Sequence, residues 1–534
     1  MGFMDAEGVV DLYEGLKSEK QDAKSWADQL RKFVLPFSPT ELESKFSWMG
    51  VDLKNLHDST AVRANERLAA AHQSFLFDPG KIWFSYEPSS TLGLDNKASS
   101  RVKKWLGDCA ERVYQALTES NFYTVNQQAL LDRCGLGTGA FYCGMTNSNK
   151  LVFSYVPFDS FVFAEDDLGM PCMFIRSFEW TAAQAVKFFG GADRLSKGMK
   201  EAYGDEVERH KKKFTILHAV GKKDRYDPLT EMECFSMYVE KTDKHVLEEG
   251  GFEEFPYMVS RFLKWGNQFG IAPARLCWPE ILHLQYNKRV IRLLGELKAF
   301  PRVKTSADLV GRVNLRPGGQ TPVKGTDQLP QEWATVGQYS ELMAEMEQDR
   351  QVVRSAFYLD VLDLFGAHKG EMTATEVNAR LDEQLRAFSP TFFQHLNDSR
   401  PVMLRVFALM FRARLLDREN VPKELLLIDS DGGEIFNPEA LPQVVYNSKF
   451  IQLMKQVHSG GIMSATEVVA RMAQFDPTVV HRFDWNFAAQ EVVRNGGVPE
   501  KFIQDDEKKE ERMKEVMAYV QQMKQGGAPE EMVQ

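Results

Sequence analysis

At 534 residues, with 43% hydrophobic and 26% charged side chains, the chain exceeds what one hydrophobic core organises, and its composition is that of a globular rather than a disordered protein. Sixty-five Lys and Arg against 75 Asp and Glu leave a formal charge of -10, which argues against an ordinary duplex-DNA binder, since phosphate neutralisation draws on a basic surplus. No uncharged apolar stretch reaches the ~18 to 20 residues that a membrane helix requires, and the first residues lack the basic and apolar segments of a secretion signal.

In chain order, Glu7 to Leu35 reads as one helix, with Val10, Tyr13, Leu16, Trp26, Leu30 and Phe33 mostly at three- and four-residue steps and Pro36 as its stop. A second helix runs from Ser59, its expected N-cap, to Phe77, and Ile82 to Tyr86 reads as a strand. Helices follow over Lys97 to Ser120 and Tyr123 to Gly135. The middle is β-rich: Ala140 to Cys143, Val152 to Pro157, Ser160 to Phe163, Cys172 to Phe178, Phe214 to Val220 and Cys234 to Glu240 suggest a meandering sheet, with a short helix at Thr181 to Val186.

From Pro273 to about Lys298 the pattern is helical again, with Pro279 as a kink or as the true first turn. Phe300 to Gly337 is turn-rich, with short strands at Arg302 to Thr305 and Gly311 to Leu315, and Gln338 to Phe357 is a second rod. Two long helices thus flank a small tip. Asp360 to Gly370 reads as a glycine-bounded loop, and Thr373 with Glu376 as a capping box opening a helix that Pro390 breaks. The chain restarts at Ser399-Arg400-Pro401 and stays mostly helical, ending in a charged helix over Asp505 to Met523. The fold class is therefore mainly α with a β-rich part, α+β.

Chemistry is sparse. Gly135-Leu136-Gly137-Thr138-Gly139 follows a helix and lacks dinucleotide spacing, so it reads as a helix C-cap entering a strand. No phosphate-loop, zinc-protease or serine-elbow motif occurs, and Asp429 to Gly433 opens like a calcium loop but has Ala440 where its glutamate belongs. Glu165-Asp166-Asp167 could bind a divalent ion; a solvated turn is the simpler reading. Cys109, Cys134, Cys143, Cys172, Cys234 and Cys277 lie far apart and include no C-x-x-C pair, which argues against a disulfide or zinc framework and suggests buried free thiols. No cofactor, metal or catalytic residue is expected.

Several segments in collinear order resemble the portal, or head-to-tail connector, proteins of T7-like short-tailed bacteriophages. They are Tyr13-Glu14-Gly15-Leu16-Lys17 leading to Leu35-Pro36, Thr60 to Ala69 running into Leu76-Phe77-Asp78-Pro79, Lys81-Ile82-Trp83-Phe84, and Glu119-Ser120-Asn121-Phe122-Tyr123. Lys369 to Val377 is similar to the family's GE-x-(V/M)-T-A-x-E-(I/V) segment, with one residue fewer between Glu371 and Thr373.

The resemblance implies a portal fold with wing, stem, clip and crown regions. Residues 1–272 and 372–437 would form the wing, 273–299 and 338–359 the stem helices, 300–337 the clip, 360–371 the channel loop, and 438–534 the crown and C-terminal tail. It implies a dodecameric ring at the unique capsid vertex through which double-stranded DNA is packaged and ejected, in the virion after assembly in the host cytoplasm. Its partners would be the major capsid and scaffolding proteins, the terminase large subunit, tail adaptor and nozzle proteins, and internal core proteins, with no membrane. An acidic ring around moving DNA avoids tight phosphate binding, and a few cations suffice to centre the duplex. His368, Lys369, Lys288, Arg289 and Arg292 are the candidates there; Arg302, Lys304, Arg312, Arg316 and Lys324 form a basic tip for docking. The alternatives are another virion structural protein, such as a tail adaptor or tube component, or a metal-dependent hydrolase built on the acidic clusters.

Overall fold

The computed structural model describes residues 5–38, 53–89, 93, 95–222, 232–266, 268–300, 302–314, 319–325, 329–332, 339–364, 374–418, 420–428, 434–436 and 441–472. The chain divides into two compact units, Met1–Tyr446 and Asn447–Gln534.

The first unit opens with α1 (Ala6–Glu19) and α2 (Gln21–Phe33), so the single helix expected over 7–35 is two. The break falls at Lys20, which is buried. Its ammonium donates to the carbonyls of Phe158 and Phe161 and lies 4.2 and 4.5 Å from their ring centroids. A side chain drawn that far inward fixes its own backbone position, and the helix restarts around it. Helix α3 (Thr60–Leu76) is capped by Asp58, whose carboxylate accepts from the Thr60 N–H at 2.9 Å; the expected Ser59 makes no side-chain cap bond. Strand β1 (Phe84–Glu87), α4 (Asn96–Glu119) and α5 (Phe122–Leu136) follow.

Helix α5 ends on Gly137 at φ 99° and runs straight into β2 (Thr138–Met145), as the C-cap reading expected. A Cβ on Gly137 would collide with the Gly270 carbonyl, and one on Gly139 with the Ala129 carbonyl. Here glycine serves close backbone approach rather than phosphate binding.

Next come β3 (Leu151–Val156), β4 (Phe161–Glu165), β5 (Pro171–Thr181), α6 (Ala182–Phe189), α7 (Lys197–Gly204) and α8 (Glu208–Lys211). Strands β6 (Lys213–Lys222), β7 (Cys234–Glu240), β8 (His245–Phe252) and β9 (Tyr257–Arg261) complete the region. The predicted meander exists as an antiparallel sheet in the order β4-β5-β6-β7-β8, while β3-β2-β9 forms a separate three-stranded sheet. Strands β8 and β9 escape the sequence reading: β8 carries Glu248-Glu249-Gly250-Gly251, which looks like a turn, yet it pairs with β7 along its length. Helix α1 covers one face of the five-stranded sheet, packing Val9, Val10, Tyr13 and Leu16 on Val162, Ile175, Leu217 and Val239.

Helix α9 (Pro273–Leu276) and α10 (Trp278–Ala299) divide the first predicted rod at Cys277. Pro279 sits in the first turn of α10, where its missing N–H leaves no gap in the ladder. The tip holds β10 (Val303–Lys304) paired with β11 (Gln331–Glu332); residues 311–314, expected to start a strand, form none. Helix α11 (Tyr339–Ala356) is the second rod. Helix α12 (Leu359–Leu364) turns the first half of the expected loop into helix, because Leu359 is drawn into the core.

Helix α13 (Ala374–Arg412) is continuous through Pro390 and Pro401, where two helices had been expected. Phe388, Phe392, Leu396, Val402, Val406 and Phe407 are buried along its length, and that burial exceeds the loss of one ladder bond at each proline. The hydroxyls of Thr391 and Ser399 donate to the Phe388 and Leu396 carbonyls nearby, at 2.9 and 2.8 Å. Strands β12 (Leu426–Ile428) and β13 (Glu434–Phe436) pair with each other, and β14 (Gln443–Tyr446) pairs with β1. The described part of the second unit is α14 (Lys449–Met472). Thr373, Asp429 to Gly433 and Asp505 to Met523 lie outside the described residues.

Candidate functional site

Helices α10 and α11 run antiparallel. His283 Nδ1 meets Asp349 Oδ2 at 2.7 Å near one end, and beyond the other end β10 joins β11 through the Val303 and Glu332 pair. Ile281, Leu284 and Ile291 of α10 and Met346 and Val353 of α11 are buried.

A polar clasp fixes the base of the pair. The buried Gln285 side chain accepts from the backbone N–H groups of His57 and Asp58 at 2.7 and 2.9 Å, and donates to the Asp58 carbonyl at 2.8 Å. Arg350 of α11 donates to the Asp58 carboxylate at 2.9 Å. Burial pushes the Asp58 carboxyl upward, but bonds from Thr60 and Arg350 outweigh it and hold it below the usual carboxylate range. The start of α3 is thereby locked to both rods. Asp363 of α12 takes a guanidinium N–H from Arg354 at 2.6 Å and from Arg67 at 2.5 Å, which ties α12 to α11 and α3.

Of the predicted cations, Arg292 donates to the His57 carbonyl at 3.3 Å and is tied to the clasp. Lys288 is half-buried and Arg289 exposed on α10. Burial, then the charges of Arg292 and Arg289, hold the His57 imidazole below its ordinary pKa. Arg302, Lys304, Arg312 and Lys324 are exposed on the tip, while Arg316, His368 and Lys369 lie outside the described residues.

The acidic run Glu165 to Asp167 divides in two. Asp166 closes a turn, accepting from the N–H groups of Leu168 and Met170 at 3.0 and 2.8 Å, as the turn reading expected. Glu165 instead pairs with the buried Arg261 and with Lys264. Arg261 also lies against Asp398 of α13, so this ion cluster ties the β4–β5 turn to the core. No sequence signal marks it, because Arg261 and Lys264 are distant in the chain from both Glu165 and Asp398.

Nearby, Arg133 donates to the Arg261 and Thr391 carbonyls, and Ser260 Oγ lies 2.7 Å from His395 Nδ1. Arg405 and Arg412 of α13 clasp Glu254. Among the described residues no group of three His, Cys, Asp or Glu side chains is placed to hold a metal ion. Five of the six cysteines are buried, with their thiols pushed up to about 12 by burial; Cys172 is half-buried.

Paired struts, an exposed tip and charges engaged in internal ties are the make-up of a structural assembly subunit. The family model for the bacteriophage head to tail connecting protein matches residues 6–503. The chain is 26% identical to the portal protein of Salmonella phage epsilon15 over 542 residues, covering 97% of this chain and 93% of that protein. It is 23% identical over 491 residues to the probable portal protein of Bordetella phage BPP-1, covering 89% and 84%. The chain therefore belongs to the bacteriophage head to tail connecting protein family. That family is structural, and the function is that of a portal, or head-tail connector, in the phage virion.

Proposed function

We propose that twelve copies close into a ring at one capsid vertex, and that DNA enters and leaves the head through its centre. The observation that carries this reading is the antiparallel α10–α11 pair, held rigidly at its base by Gln285 and Arg350 and ending in the small β10–β11 tip, in a chain of the connector family. In this reading α10 and α11 are the stem, 300–337 the clip, residues 1–272 and 372–437 the wing, and 438–534 the crown and tail.

The segment after α12, with His368 and Lys369, is the channel loop, anchored by Asp363. These two residues, with Lys288 and more weakly the clasped Arg292, are the cations that meet the duplex inside an otherwise acidic wall. Exposed Arg302, Lys304, Arg312 and Lys324, with Arg316, make the tip a docking surface, first for the terminase large subunit and then for tail adaptor and nozzle proteins. The body meets the capsid and scaffolding proteins, the crown meets the internal core proteins, and assembly occurs in the host cytoplasm.

Native mass measurement and particle images down the symmetry axis test the ring. Twelve chains of 60.9 kDa give an assembly of roughly 700 kDa with a central hole. Monomers or dimers under every condition, mature virions included, overturn the reading.

A further inference from the structure

Helix α10 is packed on two sides and keeps an apolar stripe on a third. Leu282, Tyr286, Arg289, Leu293 and Glu296 recur at steps of four and three, the heptad spacing that holds one line of side chains on one helix face, and Phe300 follows as the C-cap residue. Leu282, Tyr286, Leu293 and Phe300 are 42, 66, 49 and 55% exposed. Leu284, Asn287 and Ile291, on the buried face, and Gln285 and Arg292, which hold residues 57 and 58, all lie off this line. Three large apolar groups in register, with Phe300 exposed just past the helix end, are more than the scattered single exposures of an ordinary surface.

Charge selects the occupant. Helix α10 carries four basic residues against two acidic ones; α11 carries Glu341, Glu345, Glu347 and Asp349 against Arg350 and Arg354. Opposite the buried Met346 and Val353, the outer face of α11 presents Ala344, Glu345, Gln348 and Val352, all exposed. Within one chain the two helices already meet through their buried sides. The stripe of α10 and the outer face of α11 can therefore meet only between copies, and head-to-tail closure sets one against the other all round a ring.

Resting on the ring reading, we infer that the α10 stripe of each copy packs on the outer face of α11 in the next copy, with Arg289 paired to Glu345. Arg289 then faces a neighbouring subunit and not DNA.

The full chain carries the test, read by native mass measurement, with thermal unfolding to show that each variant folds. Leu282→Ser/Leu293→Ser lowers the ring fraction at least tenfold, as do Arg289→Glu and Glu345→Lys singly, while Arg289→Glu/Glu345→Lys restores it. Rings at the unaltered level from the serine variant or from the single reversals overturn the interface, as does a double reversal no better than its singles. A positive readout stands beside these losses: Tyr286→Cys with Gln348→Cys yields a ladder of disulfide-linked copies on mild oxidation, and assembled rings without a ladder overturn the pairing. An unaltered chain that forms no ring at all refutes the ring reading instead.

Discussion

Single residues hold this protein together where its layers cross. Gly137, at φ 99° with the Gly270 carbonyl against it, has room for neither a Cβ nor another conformation. Gly137→Ala lowers the unfolding free energy by about 2 kcal/mol or more, visible as a shifted denaturant midpoint. His72 and His395 are buried, and burial, followed by the charge of Arg133, holds both imidazoles well below their ordinary pKa. They stay neutral in the fold, whereas the unfolded chain protonates them near pH 6.5. The unfolded state then binds more protons, so stability falls as pH drops below about 6.5, by up to roughly 1.4 kcal/mol per pH unit for each histidine. Asp132, raised to about 6 by burial, and Asp398, also raised by burial, act in the opposite sense, but the buried His218, lowered to about 3 by burial, adds a third imidazole to the first two. Denaturant midpoints measured between about pH 7.5 and 5.5 decrease; a rise would refute the assignment.

The elements are positioned by polar contacts that span long stretches of chain. Gln285 and Asp58 are 227 residues apart, yet their bonds decide how the α10–α11 pair leaves the body. Gln285→Ala leaves a buried and a part-buried backbone donor without their acceptor and reduces stability by about 2 kcal/mol. Its readout is the thermal midpoint together with proteolysis at the helix base, which quickens if the pair is loosened. Lys20 does the same work between α1, α2 and the carbonyls of Phe158 and Phe161, and burial lowers its amine to about 7. A lysine in an amphipathic sequence normally reads as solvated, so this break was invisible along the chain.

At the scale of the whole molecule, the sequence similarity covers nearly the full length, and the connector role belongs to the chain as a whole. The segment after α12 is the proposed contact with moving DNA. Deleting Leu364 to Lys369 leaves rings intact but impairs DNA packaging or retention, measured as DNA per particle; normal packaging and retention would remove the channel-loop assignment. In the proposed ring, an acidic bore also makes translocation respond weakly to salt, because few phosphate contacts form to be screened.

The chain's own residues sufficed for the helical periodicity of the rods, the turn-rich tip, most strands of the meander, the glycine C-cap and the absence of recognisable catalytic motifs. All are set by spacing within one or two turns, where local geometry dominates. Tertiary structure alone decided the break at Lys20, the pairing of β8 and β9, the continuity of α13 through two prolines, the capture of Glu165 by Arg261, and the clasp on Asp58. Apart from the short-range pairing of β8 with β7, each of these is settled by contacts with residues tens to hundreds of positions away, and burial of that kind overrides local preference without leaving a local trace.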